Sequence, residues 1–173
     1  MGQINFDAYP RSGNTFTNLS MLSGLINVDY GMHKHNAHKL LNTPNRFTIV
    51  RNPSDAISSA IVCYSSLHDE RVDRFTEWYV DYYNQCFNKG CLFIDFNNLI
   101  ANPKKTFISL VNKFLIKEHN FDSLDFSLFC KNATEPNKKE QVIELKDEIL
   151  HSKHYVDAIK IYTKTLFESK CAI

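Results

Sequence analysis

The chain has 173 residues, of which 43% are hydrophobic and 13% aromatic, enough for one core of ordinary domain size and too few for two full domains. Twenty Lys and Arg against 19 Asp and Glu leave a formal charge of +1, which excludes a bulk field that drives the chain onto nucleic acid or an anionic membrane. The apolar content is too high for a disordered chain, and no apolar run approaches the roughly 20 residues of a membrane-spanning helix. The expectation is a single soluble domain spanning 1–173, with any anion site local. The opening MGQINFDAYP has neither the basic start nor the apolar stretch of a secretory signal, so a cytosolic location is expected. Five cysteines (63, 86, 91, 130 and 171) are odd in number and lack CxxC or metal-ligand spacing, which reads as reduced thiols, mostly in the core.

In chain order, residues 4–9 alternate Ile4, Phe6 and Ala8 with polar residues, a strand that runs into the turn Pro10-Arg11-Ser12-Gly13-Asn14. From Thr15, the spacing of Phe16, Leu19, Leu22, Leu25 and Ile26 predicts a helix. Residues 28–45 carry Gly31, Pro44 and three histidines without a period, and read as loop. A short apolar strand over 46–50 is followed by Arg51-Asn52-Pro53-Ser54-Asp55 and a helical pattern from Ala56. A long aromatic helix over 70–87 is closed by Gly90, and a buried strand covers 91–96. Pro103 opens a helix with the apolar face Phe107, Leu110, Val111, Phe114 and Leu115. The signal weakens beyond Glu118 and returns at 140 as a helix, continuing with a break towards 167. Strand and helix in alternation predict an α/β fold: a phosphate-loop-type three-layer sandwich with a small parallel sheet flanked by helices.

The turn after the first strand has the composition of an anion site. Gly13 lets the backbone approach an oxyanion, the amides of Gly13, Asn14, Thr15 and Phe16 fall at a helix N-terminus, and Arg11 adds a cationic fork. The nucleotide-kinase signature GxxxxGK[ST] is absent, which makes a small phosphate-loop kinase the lesser alternative. Tyr9-Pro10-Arg11-Ser12-Gly13-Asn14-Thr15-Phe16 resembles the 5′-phosphosulfate loop of the sulfotransferases that use 3′-phosphoadenosine 5′-phosphosulfate (PAPS). Arg51 to Ser59 is similar to that family's 3′-phosphate motif, and Phe93 to Leu99 with Asn102-Pro103-Lys104 resembles its strand, Tyr-Glu-Asp-Leu turn and Asp-Pro helix start.

That resemblance implies sulfuryl transfer from PAPS, a co-substrate needing no metal, to a hydroxyl or amine of a small-molecule or glycan acceptor. It implies nucleotide binding by Arg11, Ser12, Gly13, Asn14, Thr15, Phe16, Arg51 and Ser59. The family's Lys-x-His element falls on His33-Lys34-His35-Asn36-Ala37-His38, which gives His35 as acceptor base, with His33 and His38 as rivals, and Lys34 beside Arg11 at the leaving oxygen. The family's C-terminal Arg-Lys-Gly segment is missing, and Lys131, Lys138 and Lys139 are the candidate substitutes. A module that binds the nucleotide without catalysis is the alternative of a different class.

Plainer readings stand beside these. Arg51 is also placed to pair with Asp55 or Asp95 as a structural ion pair. The histidine cluster lacks Cys or carboxylate companions for a metal. Trp78, Tyr79, Tyr82 and Tyr83 are spaced for core packing rather than for stacking nucleic-acid bases, and residues 138–148 read as the wet face of a helix.

Overall fold

The computed structural model describes residues 3–64, 71–129 and 136–172. Four strands, β1 (Gln3–Asp7), β2 (Asp29–Met32), β3 (Arg46–Val50) and β4 (Leu92–Asp95), form one sheet in the order β2-β1-β3-β4. Every pairing is parallel, so each connection crosses over, and helices flank the sheet. They are α1 (Asn14–Gly24), α2 (Ala37–Leu41), α3 (Pro53–Tyr64), α4 (Arg71–Asn88), α5 (Phe96–Ala101), α6 (Pro103–Lys113), α7 (Pro136–Leu150) and α8 (Tyr155–Ala172). The strands alternate their side chains between two apolar clusters. Phe47, Ile49 and Ile94 join Ile4 and Phe6 against α1 and α6, whereas Val50 and Phe93 join the residues of α3, α4 and α8 on the other face.

The structure departs from the periodicity reading at identifiable places. Residues 28–45 are not all loop. Asp29–Met32 pairs with β1 in the register Gln3↔Asp29 to Phe6↔Met32, as a half-buried edge strand whose few apolar residues give no pattern. The short helix α2 is nucleated by Asn36, whose side chain accepts from the Lys39 amide at 2.9 Å. The first strand stops at Asp7 rather than continuing to residue 9, because the Asp7 carboxylate takes the amide of Ala8 at 2.8 Å. Phe96 belongs to α5 rather than to the preceding strand: Asp95 caps that helix by accepting from the Asn97 amide at 3.2 Å. Leu115 is 84% exposed, since the chain leaves α6 and takes a positive φ of 57° at that residue.

The weakly patterned stretch beyond Glu118 supplies two core aromatics. Phe121 and Phe126 stack against Phe107, with ring centroids 5.3 and 5.5 Å away. Their position decides which face of α1 is buried. The expected stripe of Leu19, Leu22 and Ile26 is exposed, while Phe16, Met21 and Gly24 face inward. A Cβ at Gly24 would stand 1.9 Å from the Phe121 ring, so only glycine permits this approach.

The aromatic helix packs as expected. Tyr79, Tyr82 and Tyr83 are buried in the core, and Trp78 lies against it. The start of that reading at Glu70 lies outside the described residues. Residues 138–148 present a mostly exposed face, although Val142, Leu145 and Lys146 are half-buried. Cys86 and Cys91 are buried free thiols, whereas Cys63 is an exposed one. Cys130 and the Cys171 side chain lie outside the described residues.

Candidate functional site

The candidate site stands at the carboxyl ends of β1 and β3, where parallel α/β sheets open crevices. The chain leaves β1 through Tyr9 and Pro10 and turns with the Ser12 amide donating to the Tyr9 carbonyl at 3.2 Å. Arg11 and Gly13 both have positive φ, 63° and 89°. Gly13 occupies the cap position of α1 in left-handed geometry, where a Cβ would meet the Phe96 ring at 3.1 Å. The first bond of the helix runs from the Thr17 amide to the Gly13 carbonyl at 2.9 Å. The amides of Asn14, Thr15 and Phe16 therefore have no helical carbonyl to bond, and no side chain caps them.

Buried tyrosines hold this turn and the end of β3 in place. The Tyr83 hydroxyl donates to the Ile49 carbonyl at 2.6 Å and lies 3.4 Å from Ser12 Oγ. Tyr79 donates to the Arg51 carbonyl at 2.7 Å, and Tyr9 to the Phe75 carbonyl at 3.0 Å. Burial raises the pKa of all three phenols, which keeps them protonated and fit to donate. The aromatic helix α4 is thus a scaffold for both segments.

The two arginines meet although 40 residues separate them. Arg51 Nη1 donates to the Arg11 carbonyl at 2.8 Å, and its guanidinium lies over the Phe96 ring, 4.7 Å from the centroid. Arg11 Nε donates to Ser59 Oγ at 3.1 Å. Among the described residues no ion pair joins Arg51 to Asp55 or Asp95; Asp55 instead pairs with Lys146 at 2.5 Å. Burial lowers the Arg51 pKa, the more distant field of Asp55 raises it, and the Arg11 charge lowers it again. An anion beside Arg51 would favour its charged form and so offset both contributions.

His35 completes the site. Its Nδ1 lies 2.7 Å from the Ala8 carbonyl and 3.1 Å from Asn14 Nδ2. A carbonyl only accepts, so the shorter contact places a proton on Nδ1 and leaves the lone pair of the neutral ring on Nε2. The Asp7 carboxylate, fully buried at the end of β1, accepts from the amides of Ala8 at 2.8 Å, His35 at 2.6 Å and Asn36. Burial raises the Asp7 pKa, and those three amides pull against the shift. Of the rival histidines, His33 donates its amide to the Phe6 carbonyl and sets Nε2 3.3 Å from Asn5 Oδ1. His38 is exposed on α2, with Nε2 3.4 Å from Asn42 Nδ2.

A cleft of about 510 Å³ joins these parts. Arg11, Gly13, Asn14, Thr15, Phe16, His35 and Arg51 line it from the expected set, together with apolar walls from Phe96, Ile100 and Phe129. Its size and its mixture of apolar wall and few convergent polar groups suit a small-molecule site. Ser12 is buried behind the turn, and Ser59 reaches the site through Arg11. Lys34 is exposed and outside the lining, as are Lys138 and Lys139, and Lys131 lies outside the described residues. A second cleft of about 450 Å³ opens beside Arg46 and Gly90 at the opposite strand ends. The two terminal nitrogens of Arg46 there donate to the carbonyls of Leu41, Thr43 and Lys89, and the cleft holds none of the expected residues.

Periodicity and motif reading missed Asp7 and gave no weight to the tyrosine hydroxyls. A buried acid at the end of a strand, on the same face as Asn5, was the available signal for Asp7. Among the described residues no group of three or more His, Cys, Asp or Glu is placed to hold a metal, and no helix is long and apolar enough to cross a membrane. No protein-family model matches the chain, and no curated protein matches it closely enough to serve as a relative.

Proposed function

We propose that the protein is a sulfotransferase of phosphate-loop type that moves a sulfuryl group from PAPS to a hydroxyl or amine acceptor. The observation that carries this reading is the convergence on one cleft of a capless helix N-terminus, two arginines with no carboxylate partner among the described residues and a histidine lone pair. The amides of Asn14 to Phe16 and Arg11 suit the 5′ side of the nucleotide, and Arg51 with Ser59 the 3′-phosphate. Phe16 and Phe96 offer aromatic faces beside them. The acceptor's proton passes to His35 Nε2 as its oxygen or nitrogen bonds to sulfur. The bond from sulfur to the 5′-phosphate oxygen breaks, its electron pair stays on that oxygen, and adenosine 3′,5′-bisphosphate leaves. Lys34, outside the cleft, has no step in this scheme. The cytosol, where thiols stay reduced, is the compartment this reading assigns.

Transfer of radiolabelled sulfate from PAPS across a panel of alcohols, phenols, sugars and amines tests the activity. His35→Ala is expected to slow the chemical step about 10²–10⁴-fold with little change in bisphosphate affinity. Bisphosphate binding without transfer to any acceptor selects the non-catalytic module, and tighter binding of ATP with Mg²⁺ selects the kinase.

A further inference from the structure

We propose that Asp7 is the positioning residue of this site, fixing the tautomer and direction of His35 so that Nε2 is the nitrogen presented to the cleft. What Nε2 does there rests on the sulfotransferase reading; the positioning stands on the hydrogen bonds themselves. Asp7 is fully buried, and no ion pair accompanies it among the described residues. One oxygen accepts from Ala8 and His35 amides at 2.8 and 2.6 Å, and the other from the amide of Asn36. The carboxylate therefore ties the end of β1 to a loop 28 residues away.

That loop needs a tie. Lys34 and His35 both have positive φ, 46° and 66°, a region that side-chain-bearing residues avoid, and glycine is at neither position. With the His35 amide turned to Asp7, the imidazole folds back over β1 and Nδ1 meets the Ala8 carbonyl at 2.7 Å. The Asn14 amide group cannot compete for the Nδ1 proton. Its Nδ2 faces the carbonyls of Ala8 and Tyr9, both at 3.3 Å, and so also donates. Asp7 acts on the backbone of His35, Ala8 on its ring, and the same strand end supplies both.

The test combines ¹⁵N-imidazole spectra with single-turnover transfer from PAPS in the full-length chain, using Asp7→Asn, His35→Ala and the double variant. In the wild type, the signals that vanish in His35→Ala are expected to report a fixed Nδ1–H tautomer. An Nε2–H or averaged pattern there overturns the proposal, whether or not Asp7→Asn folds. Asp7→Asn, which turns an NH₂ towards one of the amides, should convert the pattern to a mixture and slow transfer about 10- to 100-fold. In the His35→Ala background the same change should alter the rate by less than about twofold, because Asp7 acts through His35. Equal losses in both backgrounds, or unchanged His35 signals in Asp7→Asn, refute it. A wild type with the expected tautomer but no sulfate transfer defeats the enzymatic reading and leaves the positioning intact.

Discussion

Replacing Arg51 by alanine separates a nucleotide site with two phosphate ends from an ordinary turn. Among the described residues Arg51 makes one hydrogen bond to a neutral group, from Nη1 to the Arg11 carbonyl at 2.8 Å. Losing that bond loosens the turn by about 0.5–1.5 kcal/mol, a factor of about 2–10 on any ligand that uses it. A 3′-phosphate adds charge-assisted bonds worth about 1.5–3 kcal/mol, or about 10- to 150-fold in affinity. Titration calorimetry at fixed ionic strength should therefore show Arg51→Ala weakening adenosine 3′,5′-bisphosphate at least about tenfold more than adenosine 5′-monophosphate. Arg51→Lys keeps the charge but loses the fork, and is expected to fall between the two. Equal losses for both nucleotides sink the 3′-phosphate assignment, because they leave Arg51 with only its bond to Arg11.

Three further outcomes follow from the packing. Gly13→Ala puts a Cβ on a residue at φ 89° and 3.1 Å from the Phe96 ring, and should lower stability by about 1–2 kcal/mol in urea unfolding; an unchanged midpoint counts against the left-handed cap. Tyr83→Phe removes the hydroxyl that donates to the Ile49 carbonyl at 2.6 Å, with an expected loss of about 1–3 kcal/mol by the same measurement, and a neutral substitution would show that the bond does not hold β3. Burial raises the Asp7 carboxyl above its usual 3.8, so its contribution to stability is complete below that pH and shrinks as pH rises through the raised value. The stability of the wild type relative to Asp7→Asn should fall across that window in urea titrations at stepped pH, and a relative stability that grows with pH refutes the shift.

The parts of the fold legible in the sequence are those whose signal is local and repeated. The run at 46–50 and the aromatic spacing of α4 reappear as β3 and as a buried face of Phe75, Tyr79, Tyr82 and Tyr83, because a central strand and a long helix must each bury a periodic surface. Strand β2 lacks such a signal because it lies at the sheet edge, half-buried, and its register is imposed by β1. Leu115 continues the period of α6 past the point where the backbone leaves the helix, so its hydrophobicity misleads. In the site, the resemblance to sulfotransferase motifs picked out Arg11, Arg51 and Ser59, but their contacts at separations of 40 and 48 residues exist only once β1 and β3 are neighbours. Asp7 is harder still: its partners are the amides of residues 35 and 36, which carry no side-chain signature.

The arrangement of the cations argues for a ligand more strongly than either arginine does alone. A turn that merely joined a strand to a helix would be served by one arginine paired with an acid, and Asp55 is near enough for its field to be felt by Arg51. Yet the close partner of Asp55 is Lys146 of α7, and Arg51 is left on a carbonyl and an aromatic face beside a second arginine. Arg51 loses hydration on burial and is repelled by the exposed Arg11 beside it, costs that a fold keeps only where something else offsets them. Neutral ligands leave both costs in place. An anion with charge at two points could answer both arginines, and the cleft that Arg11 and Arg51 line is walled by Phe16 and Phe96.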